Sequence, residues 1–180
     1  MASPAVRRRS LLVLPAGLAL AGCGFQPLYG EFSAGQDVRA ELASVNVIVP
    51  HGRLGQTLKA ALATDLNPSS LQVPADYDLA ISIGRTTKAL AIQLNATITR
   101  YDLILDAVFS LNRRSDGVSV YRNRIRRIAS YNVSRAPYST QVAEEDAERR
   151  AAVDSSRQIA ALLAVFFREQ NQPADQETAS

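Results

Sequence analysis

The residues of this sequence best suited to chemistry are six arginines in and around one predicted β-hairpin. They are Arg113, Arg114, Arg122, Arg124, Arg126 and Arg127. Three of them, Arg122, Arg124 and Arg126, occupy every second position, so a strand would place them on one face. The planar guanidinium group forms paired, charge-assisted hydrogen bonds to phosphates and carboxylates. This row of arginines could therefore bind an anionic lipid headgroup, a nucleic-acid backbone or an acidic protein wall.

Two structural roles compete with binding. The arginines could keep an edge strand soluble, or they could pair with acids at the start of the last predicted helix. Those acids are Glu144, Glu145, Asp146 and Glu148. Nucleic acid is the least favoured ligand because no pattern of stacking aromatic residues accompanies the arginines. The pattern alone leaves solubility, internal pairing and anion binding open.

The other polar residues do not indicate a catalytic or metal site. The 180 residues include one His and one Cys, too few for a zinc site of the usual type. No nucleophile elbow, phosphate-binding loop or glycine fingerprint occurs. Acids alternate along two predicted strands, as is typical of a solvated strand face, at Asp76/Asp78 and at Asp102/Asp106. We therefore expect neither enzymatic activity nor a cofactor.

The first 22 residues have the three regions of a secretory signal. Arginines at positions 7–9 precede an apolar run over residues 11–20, which ends in the small residues Ala21 and Gly22. The run is shorter than the roughly 20 residues that a membrane-spanning helix needs. The sequence Leu-Ala-Gly-Cys at positions 20–23 is typical of a bacterial lipoprotein cleaved before its cysteine. We predict that Cys23 carries a diacylglycerol and an N-acyl chain such as palmitate, which together anchor the protein durably.

Charge and sorting follow from this cleavage. The full sequence has a formal charge of +3, and residues 1–22 contain three arginines and no acid, so the remainder is formally neutral. A strongly basic nucleic-acid binder is thereby disfavoured. Gly24, rather than the Asp that commonly marks inner-membrane retention, follows the cysteine. The expected location is the periplasmic face of the outer membrane.

Hydrophobic periodicity predicts a single α+β domain over residues 44–169. Residues 23–43 show no sustained periodicity and are predicted to be a lipidated tether, and residues 170–180 a disordered tail. A strand from Val45, a helix from Leu54 to Leu66, three more alternating strands and a long helix from about Thr140 follow in order. The order β-α-β-β-β-α closes if two helices cover one face of a four-stranded, largely antiparallel sheet. The other face of the sheet is left uncovered by this chain.

Four segments, taken in order and spacing, are specific enough to compare with a known family. The most specific is residues 21–30, Ala-Gly-Cys-Gly-Phe-Gln-Pro-Leu-Tyr-Gly, and residues 82–101, 129–134 and 138–150 extend the comparison over most of the chain. Together these segments resemble the LPS-assembly lipoprotein family LptE in its alphaproteobacterial form. The resemblance implies two helices on a four-stranded sheet and an outer-membrane lipoprotein anchored in the inner leaflet. It further implies a one-to-one complex in which the protein plugs the LptD β-barrel and helps place lipopolysaccharide in the outer leaflet.

The role of the arginines is a hypothesis from charge chemistry and does not come from the resemblance. Lipopolysaccharide carries phosphates, so Arg122, Arg124 and Arg126 are candidates to contact it or the barrel.

Two other functions stay open. An auxiliary lipoprotein of a phospholipid-trafficking ABC transport system would bind or bridge lipids without a barrel, and the segment 23–29 argues against it. A lipid-tethered periplasmic hydrolase would need a catalytic group such as His51 or Ser139.

Overall fold

The structure is a computed structural model that describes residues 33–92, 98–134 and 136–171. The predicted signal, Cys23, residues 23–32 of the predicted tether and residues 172–180 of the predicted tail lie outside these ranges. The described elements are α1 Ser33–Ala43, β1 Val45–Ile48, α2 Arg53–Leu66, β2 Tyr77–Ile92, β3 Ile98–Arg113, β4 Ser119–Asn132 and α3 Pro137–Asn171.

The four strands form one sheet in the order β1-β2-β3-β4. The short β1 pairs with β2 in parallel, whereas β2, β3 and β4 form an antiparallel meander. Gly117 has a φ of +70° in the turn between β3 and β4, a conformation that glycine adopts without strain. The Val118 N–H donates to the Asp116 carboxylate in this turn. The predicted α+β class and the largely antiparallel four-stranded sheet are confirmed.

One face of the sheet carries the hydrophobic core. Five successive odd-numbered residues in the middle of β3 are apolar and fully buried: Leu103, Leu105, Ala107, Phe109 and Leu111. Successive side chains of a strand point to opposite faces, so the period of two aligns this set against the helices. All three helices contribute buried residues to the same core cluster. We call this side of the sheet the covered face.

Helix α2 supplies its predicted apolar stripe. Leu58, Leu62 and Leu66 recur every four residues and are buried. Gly55 lies where the helix meets the preceding loop, and a Cβ there would stand 2.1 Å from the Pro50 carbonyl oxygen. Glycine is therefore required for this close approach of helix and loop.

The 35-residue helix α3 is about 52 Å long. Its Phe166 is half-buried and stacks on Tyr121 with ring centroids 4.9 Å apart. The residues that precede Phe166 at steps of three and four are buried: Leu163, Ile159, Ser156 and Ala152. The neighbouring Phe167 is fully buried. The helix begins at Pro137, a favoured first helical residue, rather than near Thr140, and it continues two residues into the predicted tail.

Helix α1 corrects the prediction of a tether for residues 33–43 and adds a third helix to the two predicted. Val38 and Leu42, four residues apart, are buried in the core, and α1 packs against α3. Two large apolar residues on three helical turns are too few to make a periodic pattern. Tertiary contact, rather than the local pattern, keeps this segment on the domain.

Candidate functional site: the open face of the sheet

No helix or strand of the described ranges covers the other side of the sheet, as predicted. On β3 and β4 this side carries the even-numbered residues, including Asp102, Asp106, Val108 and the arginines at 122, 124 and 126. We call this side the open face and these three arginines the arginine row. Their predicted common face is confirmed, because residues of β4 at every second position point the same way.

Two arginines of the row converge on one carboxylate. Asp106 and Arg126 are direct partners in the β3–β4 register. Arg126 donates from Nε to Asp106 Oδ1 at 2.9 Å and from Nη2 to Oδ2 at 3.2 Å. Arg124 Nη2 donates to Asp106 Oδ1 at 3.0 Å. Asp106 is thus held by a two-pronged bond from one side and a single bond from the other.

These bonds change the acidity of Asp106 and leave positive charge unmatched. The hydrogen bond from Arg126, followed by that from Arg124, lowers the pKa of Asp106 below its ordinary value despite partial desolvation. One carboxylate faces two guanidinium groups, so the cluster carries a net positive charge.

Arg122 adds a further unmatched charge. It is exposed and forms no hydrogen bond or ion pair with any described residue. Its side chain borders a shallow depression of about 440 Å³ that extends across the open face to the end of β1. The depression is lined by Ile48, Ala80, Ser82, Val108, Ser110 and Arg122, among others.

The other three candidate arginines lie apart from the row. Arg127 points to the covered face and donates to the Arg126 carbonyl oxygen. Arg113 donates to Asp116 at 3.0 Å within the β3–β4 turn, and Arg114 donates to Asp78 at 2.7 Å. The bond from Arg114 is the main cause of the lowered pKa of Asp78. The structure therefore brings three of the six candidates together.

The acids at the start of α3 do not pair with the arginine row, so this alternative is wrong. Glu148, which is 7% exposed, receives Arg53 Nη2 at 2.6 Å and Arg85 Nη1 at 3.1 Å. Glu145 also pairs with Arg53, and Glu144 with Arg85. Asp146 pairs with Arg149 and Arg150 of its own helix. We call Arg53, Arg85, Glu144, Glu145 and Glu148 the covered-face ion network.

The sequence contains a signal for the pairing of Asp106 with Arg126. Asp106 and Arg126 lie ten residues on either side of Asp116, in the predicted turn, and an antiparallel hairpin brings such positions together. The covered-face ion network had no comparable signal, because Arg53 and Glu148 are 95 residues apart.

Apolar side chains flank the charged cluster on the open face. Ile48 of β1 and Val108 of β3 lie on one side of Asp106 and are 49% and 44% exposed. On the other side of Asp106, Ile104 lies opposite Ile128, which is 59% exposed. The open face thus alternates apolar and charged areas.

The polar residues considered for catalysis are placed without a catalytic arrangement. His51 is exposed in the loop before α2. Ser139 bonds to Ser134 and to the Ala136 carbonyl oxygen, in a local network at the start of α3. Within the described ranges, no three His, Cys, Asp or Glu side chains are grouped as metal ligands. None of the described helices combines the length and apolar character needed to cross a membrane.

Comparison with known proteins adds independent information. Residues 40–163 match the family model LptE, described as lipopolysaccharide-assembly. A candidate lipoprotein of Caulobacter crescentus has a solved structure with a TM-score of 0.64 and 26% sequence identity, covering 76% of this chain and 98% of that chain. No curated protein matches the chain significantly in sequence.

Two more distant structures share the fold. A minor lipoprotein of Acinetobacter baumannii has a TM-score of 0.55 at 20% identity, covering 68% of this chain and 90% of its own. The rare lipoprotein B of Shewanella oneidensis also has a TM-score of 0.55, at 12% identity, covering 71% of this chain and 97% of its own.

Proposed function

This chain belongs to the LptE family of lipopolysaccharide-assembly proteins, and we propose that it occupies the lumen of an LptD-type β-barrel in a one-to-one complex. In this role it supports assembly of the barrel and assists insertion of lipopolysaccharide into the outer leaflet. The role is one of binding and needs no catalytic group or cofactor.

The observation that carries the proposal is the open face in a chain of this family. Its side chains are charged, hydroxylated and apolar in turn, and no described helix covers them. The lumen of a large β-barrel is polar and hydrated, so a plug must present polar groups that bond to the wall or to water. An open face of this composition suits such a wall better than it suits hydrocarbon.

The location is proposed from the N-terminal sequence. Acylation at Cys23 would anchor the protein in the inner leaflet of the outer membrane, with the domain on the periplasmic side. Replacement of Cys23 by Ala should abolish labelling by a palmitate analogue, which reports the acylation. It should also release the protein from the membrane fraction, which fractionation measures.

The complex is tested by capture from the membrane. Outer membranes are solubilised mildly, the protein is captured through a C-terminal tag, and proteins that remain after washing are identified and quantified. We expect one large β-barrel protein in a one-to-one ratio. Recovery of inner-membrane transporter subunits or phospholipid without a barrel would instead favour a lipid-trafficking role.

Direct contact of the arginine row with lipopolysaccharide or the barrel is tested separately. Arg122, Arg124 and Arg126 are replaced together by Ser, and barrel assembly and lipopolysaccharide affinity are measured. We expect at least one to decrease, because the row carries two guanidinium charges beyond the single Asp106 carboxylate. No change in either measurement would exclude this role of the row.

A further inference from the structure

We propose that Arg122 binds a carboxylate side chain of the protein wall that covers the open face. This inference rests on the proposed function, which supplies the wall, and specifies which arginine of the row makes the contact and what it contacts. The partner group is an Asp or Glu, flanked by small or apolar residues, on the lumen surface of the barrel.

The first step concerns which guanidinium group is available. Arg124 and Arg126 already donate three hydrogen bonds to Asp106, and those bonds would have to break or be shared before another anion could take them. Arg122 has no partner among the described residues, although it lies two positions away on the same strand. None of the described residues accepts a hydrogen bond from its five N–H donors, so these are available to a group that comes from outside the described ranges.

The second step concerns the surroundings of Arg122. Its register partner on β3 is Ser110, and Ala80 of β2 lies opposite Ser110. The depression that Arg122 borders also contains the Ser82 hydroxyl and the apolar side chains of Ile48 and Val108. A carboxylate bound to Arg122 would lie near two hydroxyl donors, those of Ser82 and Ser110. The residues on either side of that carboxylate would contact the apolar side chains of the depression. Partial exclusion of water by such neighbours strengthens a charged hydrogen bond.

The third step concerns the class of ligand. The depression is shallow and crosses all four strands, so it presents an open floor rather than a channel that could enclose acyl chains. Within the described ranges it is lined by one guanidinium without a partner, that of Arg122, which matches the single negative charge and two oxygens of one carboxylate. A phosphate carries up to two negative charges and is better matched by several free cations. A protein wall with an acidic side chain therefore fits the geometry better than a lipid phosphate.

The test uses the full-length, membrane-anchored protein and varies Arg122 alone. Arg122→Glu reverses the charge, Arg122→Lys keeps the charge without the planar fork, and Arg157→Glu is the matched control. Arg157 is exposed on α3 and pairs with Asp154 of its own helix. Barrel captured after high-salt washing is measured together with the thermal unfolding midpoint of each variant.

We expect Arg122→Glu to retain about tenfold less barrel than the wild type, because like charges would meet in the contact. Arg122→Lys should retain an intermediate amount, and Arg157→Glu should behave as the wild type. The unfolding midpoint of Arg122→Glu should not decrease, because the side chain has no partner within the described domain. A photo-crosslinker at position 122 should identify an acidic stretch of the barrel, and changing that acid to Arg should restore capture by Arg122→Glu.

Other outcomes overturn the inference in distinguishable ways. If the wild type captures no barrel, both the proposed function and the inference fail. If the wild type and Arg122→Glu capture the barrel equally, the inference alone fails. Loss of lipopolysaccharide binding with full barrel capture would assign Arg122 to a phosphate and reject the carboxylate. Equal losses in Arg122→Glu and Arg157→Glu would indicate a general charge effect.

Discussion

The two faces of the sheet use arginine in opposite ways. On the covered face, two arginines meet three glutamates, and each guanidinium bridges two carboxylates. On the open face, three arginines lie beside one aspartate that pairs with two of them. The first group has more acids than bases, whereas the second has more bases than acids.

The two clusters also differ in how much they contribute to the fold. The covered-face ion network joins the starts of α2 and α3 to β2, so its bonds fix elements that are distant in the sequence. The arginine row joins only the adjacent strands β3 and β4, which backbone hydrogen bonds already hold together. Its surplus charge adds little to the fold and is available for binding.

The largest effect that can test this comparison comes from two adjacent residues of β3. Leu105→Ala on the covered face should lower the free energy of unfolding by about 2–5 kcal/mol, because Leu105 is fully buried and its loss leaves a cavity. Ile104→Ala on the open face should lower it by about 1 kcal/mol at most. Chemical denaturation of both variants measures the difference. Equal losses would show that the open face is also packed within this chain.

This contrast could be predicted from the sequence, since a period of two over β3 assigns adjacent residues to opposite faces. The same period placed Arg122, Arg124 and Arg126 together. Asp106, the partner of Arg124 and Arg126, could also be predicted from its distance to the turn.

Contacts between remote segments could not be predicted in this way. The pairs of Arg53 and Arg85 with Glu148 depend on how α3 lies across the sheet, which no local pattern specifies. The packing of helix α1 could not be predicted for the same reason. Val38 and Leu42 can be recognised as core residues only when α3 packs beside them. The availability of Arg122 likewise follows from which of its neighbours Asp106 bonds to.

A smaller effect separates two acids of the covered-face ion network. Glu148→Gln should lower the free energy of unfolding by about 1–3 kcal/mol, because a buried carboxylate that accepts bonds from two guanidinium groups is replaced by a neutral amide. Glu145→Gln is the matched control: its side chain is 42% exposed and bonds to one arginine, so a loss under about 1 kcal/mol is expected. A Glu148→Gln protein as stable as the control would show that the network does not hold the helices.

The smallest predicted effect concerns the unequal contributions of Arg126 and Arg124 to the pKa of Asp106. Arg126 is the main cause of the lowered pKa of Asp106, so Arg126→Ala should raise that pKa toward its ordinary value more than Arg124→Ala does. NMR titration of the side-chain carboxyl carbon measures both shifts without requiring a change in stability.

The sign of the accompanying pH dependence follows from linkage. Because the pKa of Asp106 is lower in the folded state, its stabilising effect is present above its unfolded-state pKa of about 3.9 and is lost as the pH falls through the folded value. Arg126→Ala should bring the folded-state pKa of Asp106 closer to its unfolded-state pKa than Arg124→Ala does. The pH range over which the stabilising effect is lost should therefore become narrower in Arg126→Ala. A larger shift in Arg124→Ala would mean that the two-pronged bond belongs to Arg124 in solution. Arg126, rather than Arg124, would then hold Asp106 by a single bond and keep more donors free for a partner.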